Sequence, residues 1–189
     1  MPGPLTVVLD SCVLYPAPLR DLLMQLSLSG LIRPRWSERI HQEWILNLLK
    51  NRPDLTPVQL ERTRDLMDAH VADCVVSDYE ETLSRITLPD DNDRHVVAVA
   101  IVSKAAAIVT FNLSDFPPEI LRYWGTQAIH PDDFLSQLFD FQPNEFREAV
   151  RRQRANLRNP PKSPAEFLEI LERQNLPQTV MRLRGTQNH

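Results

Sequence analysis

Two short aliphatic runs, Leu5–Leu9 (LTVVL) and Ala106–Thr110 (AAIVT), restrict this chain more than any other feature. Neither alternates apolar with polar residues, so neither suits a sheet with one face in water. Continuous, β-branched runs of this kind fit strands covered on both faces, the usual state of a parallel sheet. Parallel neighbours need crossovers, and helical patterns stand between the runs. One spans Leu19–Leu31 and stops at Gly30, and another runs from an N-cap at Ser37 to Lys50. Others cover Val58–Val71, Tyr79–Ile86 and Arg94–Lys104, and a further helix begins at Pro131. Weaker strands are expected at Leu31–Trp36, Cys74–Ser77 and Thr126–Ile129, with Pro34 confining the first to an edge. The fold class that follows is α/β, a short parallel sheet in a three-layer α/β/α domain.

The texture changes after Gln142. Residues 143–189 carry nine Lys/Arg against five Asp/Glu, whereas residues 1–142 carry twelve against twenty. The predicted division is therefore an α/β domain over 1–142 and a small all-helical extension over 143–189. Helices are expected at Asn144–Leu157 and Ala165–Arg173, separated by NPPKSP, with a frayed tail from QNLPQTVMRLRGTQNH onward. The acidic body argues against tight nonspecific nucleic-acid binding unless cations reverse the local sign. No apolar run approaches the length of a membrane span, and MPGPLTVVLD lacks the pattern of a signal peptide. With only Cys12 and Cys74, a cytoplasmic protein with reduced thiols is the expectation.

Ligands of open parallel sheets gather outside the carboxyl ends of the strands. Asp10 ends the first strand, and VTFNLSDFP carries Thr110, Asn112 and Asp115 off the end of another. Asp93 opens the helix before that strand, and Glu43 sits in IHQEW on an otherwise apolar helix. Each acid alone has a dull explanation: a turn former, a helix cap, a helix edge. Four of them meeting at one sheet edge would repel, and a divalent cation resolves that conflict. Oxygen ligands without a His/Cys cluster point to Mg2+ or Mn2+ rather than zinc. His41 and His95 read as packing or surface residues.

VVLDSCVLYP, IHQEW, DDNDRHVVAVA and IVTFNLSDFP resemble, in order and spacing, the four acidic motifs of PIN-domain nucleases. The likeness spans about Leu5 to Leu135 and is nearest to the VapC-type ribonuclease toxins of bacterial toxin–antitoxin pairs. The part after Pro143 resembles an extension on some longer bacterial PIN proteins. The resemblance implies a PIN-like domain in which Asp10, Glu43 and Asp93 hold the metal and its water. Asp115 would act as a fourth acid, and Thr110 and Asn112 would position the substrate. Within DDND, Asp90 and Asp91 rival Asp93, which is preferred for its helical spacing to Val97 and Ala100. The family often has Asn where Cys12 stands, so a polar contact is expected to be lost there.

The activity implied is metal-dependent endonucleolytic hydrolysis of RNA. Arg20, Arg94, Arg151, Arg152 and Arg154 are the candidates for backbone phosphate contacts. A small antitoxin partner and a homodimer are also expected, with Leu19–Leu28 and Ile45–Leu49 offering apolar surface. Two other acid-rich phosphate folds fit poorly. A HAD-type phosphatase needs a second Asp at position 12, and a receiver domain needs a lysine after a later strand, whereas Lys104 precedes it. A noncatalytic PIN-like module binding RNA or protein is the alternative.

Overall fold

A computed structural model describes residues 3–185. Its centre is β1 (Leu5–Leu9), which pairs in parallel with β2 (Ile32–Arg35) on one side and β3 (Ala107–Val109) on the other. A two-residue strand, β4 (Ala128–Ile129), extends the sheet beyond β3, giving the order β2-β1-β3-β4. Val7, Val8, Leu9, Ile108 and Val109 have no exposed surface, as the unbroken apolar runs require.

Asp10 caps α1 (Ser11–Leu14), and α2 (Ala17–Leu28) then returns to β2. Gly30, at φ +72°, supplies the left-handed turn that closes α2. Ser37 accepts a hydrogen bond from the Ile40 N–H and starts α3 (Glu38–Asn51), as expected. A Thr56–Gln59 capping box opens α4 (Pro57–His70), and a single turn, α5 (Glu80–Leu83), follows. The helix α6 (Arg94–Ser103), buried from His95 to Ala100, packs on β1, β2 and β3. Right-handed crossovers put α2 and α6 on opposite faces of the sheet, which makes three layers. A short α7 (Pro118–Tyr123) links β3 to β4 and was not legible in the sequence.

A polar bridge sets the height of α3. The buried His41 accepts from Trp44 Nε1 at 2.9 Å through Nδ1. Its Nε2, 3.0 Å from Asp68 Oδ1, must then carry the proton and donate. Trp36 Nε1 donates to the same Asp68 oxygen at 2.8 Å, so β2, α3 and α4 meet at one carboxylate.

Two sequence expectations are corrected. Cys74–Ser77 does not form a strand; only Val75 pairs, as a parallel bridge to Trp36. Trp36 N–H donates to the Cys74 carbonyl at 3.0 Å on the outer side of β2. Two residues back on that side is Pro34, which has no N–H, so the ladder stops. Arg35 fills the gap by donating from its guanidinium to the Ala72 and Asp73 carbonyls.

The second correction is at the C-terminus. In place of a frayed tail, α11 (Pro177–Gly185) packs on α8 (Pro131–Phe141); residues 186–189 lie outside the described residues. Between them run α9 (Pro143–Asn156), which packs on α2 and α8, and α10 (Pro164–Glu172). The anchor is Asp132, buried in the first turn of α8. It accepts from Gln178 N–H and Thr179 N–H at 2.9 Å each and from the Thr179 hydroxyl at 2.8 Å. One carboxylate thus satisfies the open N–H groups of a helix 46 residues away.

Replacing Asp132 by Ala removes the acceptor of the buried Thr179 N–H and hydroxyl and of the partly buried Gln178 N–H. We expect a loss of about 2–4 kcal/mol in urea unfolding, with proteolysis concentrating in 177–185. Unchanged stability and an uncut C-terminus would show that α11 is held by apolar packing alone.

Candidate active site

At the carboxyl edge of the sheet the ladder runs one residue past β1, since Asp10 N–H donates to the Val109 carbonyl at 3.2 Å. That register sets Asp10 beside Thr110. The Thr110 hydroxyl donates to Asp10 Oδ2 at 2.7 Å and accepts from the Asn112 N–H at 3.0 Å. Ser11 N–H donates to the other oxygen, Oδ1, at 2.7 Å. Asp10 is only 5% exposed, and these bonds are what make its burial tolerable. Thr110 has no exposed surface, so it does not touch a substrate, contrary to the sequence reading; it fixes Asp10. Asn112 is exposed at the rim.

Cys12 also departs from expectation, because it keeps a polar role. Its thiol lies 3.2 Å from Asp10 Oδ2, and its sulfur accepts from the Phe111 N–H at 3.3 Å. Burial, and then the Asp10 charge, push the thiol up to about 12. It is a weak hydrogen-bonding strut and not a reactive thiolate.

Asp93 sits at the N-cap position of α6, yet its side chain makes no capping bond. Burial raises its pKa to about 6, and the charges of Asp10, Asp115 and Asp90 add to the rise, with His95 opposing. Asp115 ends a 3-10 turn over Leu113–Asp115 and is half-buried. The structure therefore brings Asp10, Asp93 and Asp115 close enough to repel one another. The rivals in DDND have other partners: Asp90 accepts from Asn92 N–H at 2.8 Å, and Asp91 pairs with Arg94 at 3.3 Å.

Glu43 faces the same edge from α3. Burial alone would raise its carboxyl, but the His95 contact, then Arg39 and the Ser11 hydroxyl, hold it below the usual range. His95 Nε2 stands 2.9 Å from Glu43 Oε1, and Arg39 Nε stands 3.5 Å away. Ser11, Arg39 and His95 were not assigned a role from sequence. Adjacency to Asp10, a one-turn offset from Glu43 and a position two residues past Asp93 were the only signals.

Of the arginines proposed for phosphate contacts, Arg94 is next to Asp93, and it is engaged with Asp91. Arg20 is corrected outright. It is buried, donates to the Leu14 carbonyl at 2.8 Å and stacks 4.9 Å from the Trp44 ring centre, so no phosphate reaches it. Arg152 donates to Ser29 at 2.7 Å, at the amino edge of the sheet. Arg151 pairs with Glu148 at 2.9 Å and Arg154 donates to the Lys162 carbonyl at 2.9 Å, both within the helical extension.

The donor set suits a hard cation: carboxylate oxygens that repel one another, with no thiolate or imidazole cluster. Among the described residues, however, no three His, Cys, Asp or Glu side chains are gathered closely enough to hold a metal as they stand. Glu43 is turned to His95, and both Asp10 oxygens accept hydrogen bonds from the protein. The chemistry fits, and ligation would need side-chain adjustment.

This fold, with acids collected at the carboxyl edge of a four-stranded parallel sheet, defines a class. The family model for the PIN domain matches residues 6–114, more than half of the 189-residue chain, and the chain belongs to that family. A second family model, described as the VapC50 C-terminal domain, matches residues 131–185. Among individual proteins, the chain is similar to "Putative ribonuclease VapC50" of Mycobacterium tuberculosis (strain ATCC 25618 / H37Rv). They are 35% identical over 92 residues, which is 49% of this chain and 54% of that protein. The match thus spans about half the length of the relative. No helix among the described residues is long and apolar enough to cross a membrane.

Asp93 has a folded pKa of about 6 against an ordinary value of 3.8, so folding is penalised wherever its carboxylate is charged. That penalty is fully present above pH 6 and fades as pH falls toward 4. Asp93→Asn should therefore raise the Tm of the chelator-treated protein at pH 7.5, with the gain shrinking at pH 4. A Tm gain independent of pH would show that charge repulsion is not its cause.

Proposed function

We propose that the protein is a metal-dependent endoribonuclease that hydrolyses RNA phosphodiester bonds, the toxin component of a toxin–antitoxin pair. The observation that carries this reading is Asp93, raised to about 6 by burial and by Asp10 and Asp115 rather than used as a helix cap. A fold gains nothing from gathering three acids at one edge unless something cationic joins them there. Membership in the PIN family and the printed name of the mycobacterial relative support the same reading.

Asp10, Asp93, Asp115 and Glu43 are the residues that would hold Mg2+ or Mn2+. Such an ion, when bound, polarises a phosphoryl oxygen and lowers the pKa of a bound water. The chain's own part is positional. Thr110 and Ser11 fix the Asp10 carboxylate, and Ser11 also meets Glu43. Asn112, exposed at the rim, is placed to meet the substrate. Arg94, next to Asp93 in the chain, would offer a phosphate contact on leaving Asp91.

We further propose residues 1–142 as the nuclease part and 143–189 as a helical part docked on it through α2 and α8. The second family match begins earlier, at residue 131. A small antitoxin and a second copy of the chain are the proposed protein partners. The second functional reading, a noncatalytic RNA- or protein-binding module, draws its support from the absence of a three-ligand arrangement among the described residues.

Purified protein should cut a mixed small-RNA pool with Mn2+ or Mg2+ and not with chelator. Asp10→Asn and Asp93→Asn should each reduce the rate by about two orders of magnitude or more while remaining folded. A folded wild type that binds no metal and cuts nothing would favour the binding module.

A further inference from the structure

We propose that His95 is a positioning residue for the site: its imidazole holds the Glu43 carboxylate in the orientation from which Glu43 serves the acid cluster. The inference rests on the nuclease reading above and goes beyond it, because His95 neither touches substrate nor belongs to the acid set.

The geometry is specific. His95 is the second residue of α6, two positions past Asp93, and its side chain has no exposed surface. Its Nε2 is 2.9 Å from Glu43 Oε1, in a bent contact. Its Nδ1 is buried with no hydrogen-bond partner among the described residues. Around it α6 presents Val96, Val97, Ala98 and Val99, all fully buried.

A space-filling role does not account for this ring. An aliphatic residue would pack among those valines without stranding two polar atoms, and stranded polar atoms are destabilising. A proton on Nε2 sets that N–H beside the carboxylate at ion-pair distance, though out of hydrogen-bond alignment, and leaves Nδ1 as a lone pair. One edge of the ring is therefore committed to Glu43.

Glu43 needs such a partner. Its side chain is 32% exposed and has three rotatable bonds. The Arg39 contact is an i,i+4 pair at 3.5 Å whose arginine is 43% exposed, a kind of contact that restrains little. His95 cannot move without disturbing the core, so it is the rigid member of the pair. Occupying Oε1 leaves Oε2 for the cluster side. His95 also joins the two elements that carry the acids, because α6 begins beside Asp93 and α3 bears Glu43.

The test compares His95→Leu, which removes the donor, with His95→Gln, whose side-chain N–H reaches the position of Nε2. Both are made in the full chain, beside Glu43→Gln and the His95→Leu/Glu43→Gln pair. Mn2+ binding is read by calorimetry and RNA cleavage by rate, with folding checked by circular dichroism and cooperative melting. His95→Leu should weaken Mn2+ binding and slow cleavage by about 10–100-fold. His95→Gln should recover most of that loss, and His95→Leu should add little to Glu43→Gln. The positioning role is overturned if folded His95→Leu binds Mn2+ and cuts as wild type does. It is equally overturned if His95→Gln is as impaired as His95→Leu, or if the two single losses multiply in the pair. A wild type that neither binds Mn2+ nor cuts RNA would instead bring down the nuclease reading, and the positioning role with it.

Discussion

A buried carboxylate governs this molecule. Asp10 is placed at the end of the central strand, nearly out of reach of water, and is tolerated because Thr110 and the Ser11 N–H bond both its oxygens. Thr110 is available only because β3 pairs with β1 in a register that continues to Asp10. A slip of one residue in that ladder would bury the carboxylate unsatisfied and turn Thr110 away. Sheet register and site chemistry are thus one constraint seen from two sides. The same constraint explains why the helix that Asp93 precedes is buried from His95 to Ala100: α6 must cross β1 and β3 closely to keep its N-cap at that edge.

Beyond Asp10 the site is a balance between repulsion and restraint. Burial raises the Asp93 pKa, and the charges of Asp10 and Asp115 add to the rise against the opposing effect of His95. Glu43 lies at the margin and shows the opposite shift, because His95, Arg39 and Ser11 offset its burial. Two acids at one edge are thus pushed in opposite directions by their neighbours. That divergence separates an acid left without a stabilising partner from one already supported by the protein. Cys12 contributes through weak sulfur contacts, stiffening the Asp10–Phe111 corner without adding charge.

The helical extension follows a different logic. Its basic residues suggested a surface for a polyanion, but the three arginines proposed for it already have partners in the protein. Arg152 clamps α9 to the end of α2, Arg151 pairs with Glu148, and Arg154 closes on the loop before α10. Gln153, almost buried, donates to the Pro18 carbonyl at 2.8 Å and adds a second tie between α9 and α2. Asp132 then draws α11 back onto α8. Charge that looks like a binding face in one dimension is here largely part of the docking between layers.

Much of this was legible in the sequence, and the division has a physical basis. The continuous apolar runs determined the parallel sheet and its buried centre, Pro34 determined that β2 lies at an edge, and Ser37 determined where α3 begins. The order of the acidic motifs determined which carboxylates to examine. Local signals of this kind persist because they act through the backbone of a few neighbouring residues. Tertiary structure alone decided what depends on partners distant in the chain. Pro34 silences a ladder that Cys74–Ser77 would otherwise have joined, and a carboxylate in α8 makes a helix of the final segment. Arg20 and Thr110, polar and so read as reaching outward, are buried because Leu14, Trp44 and Asp10 give them partners inside. His95, which resembled one more core residue of α6, faces Glu43 only because two helices more than forty residues apart in sequence meet at one edge of the sheet.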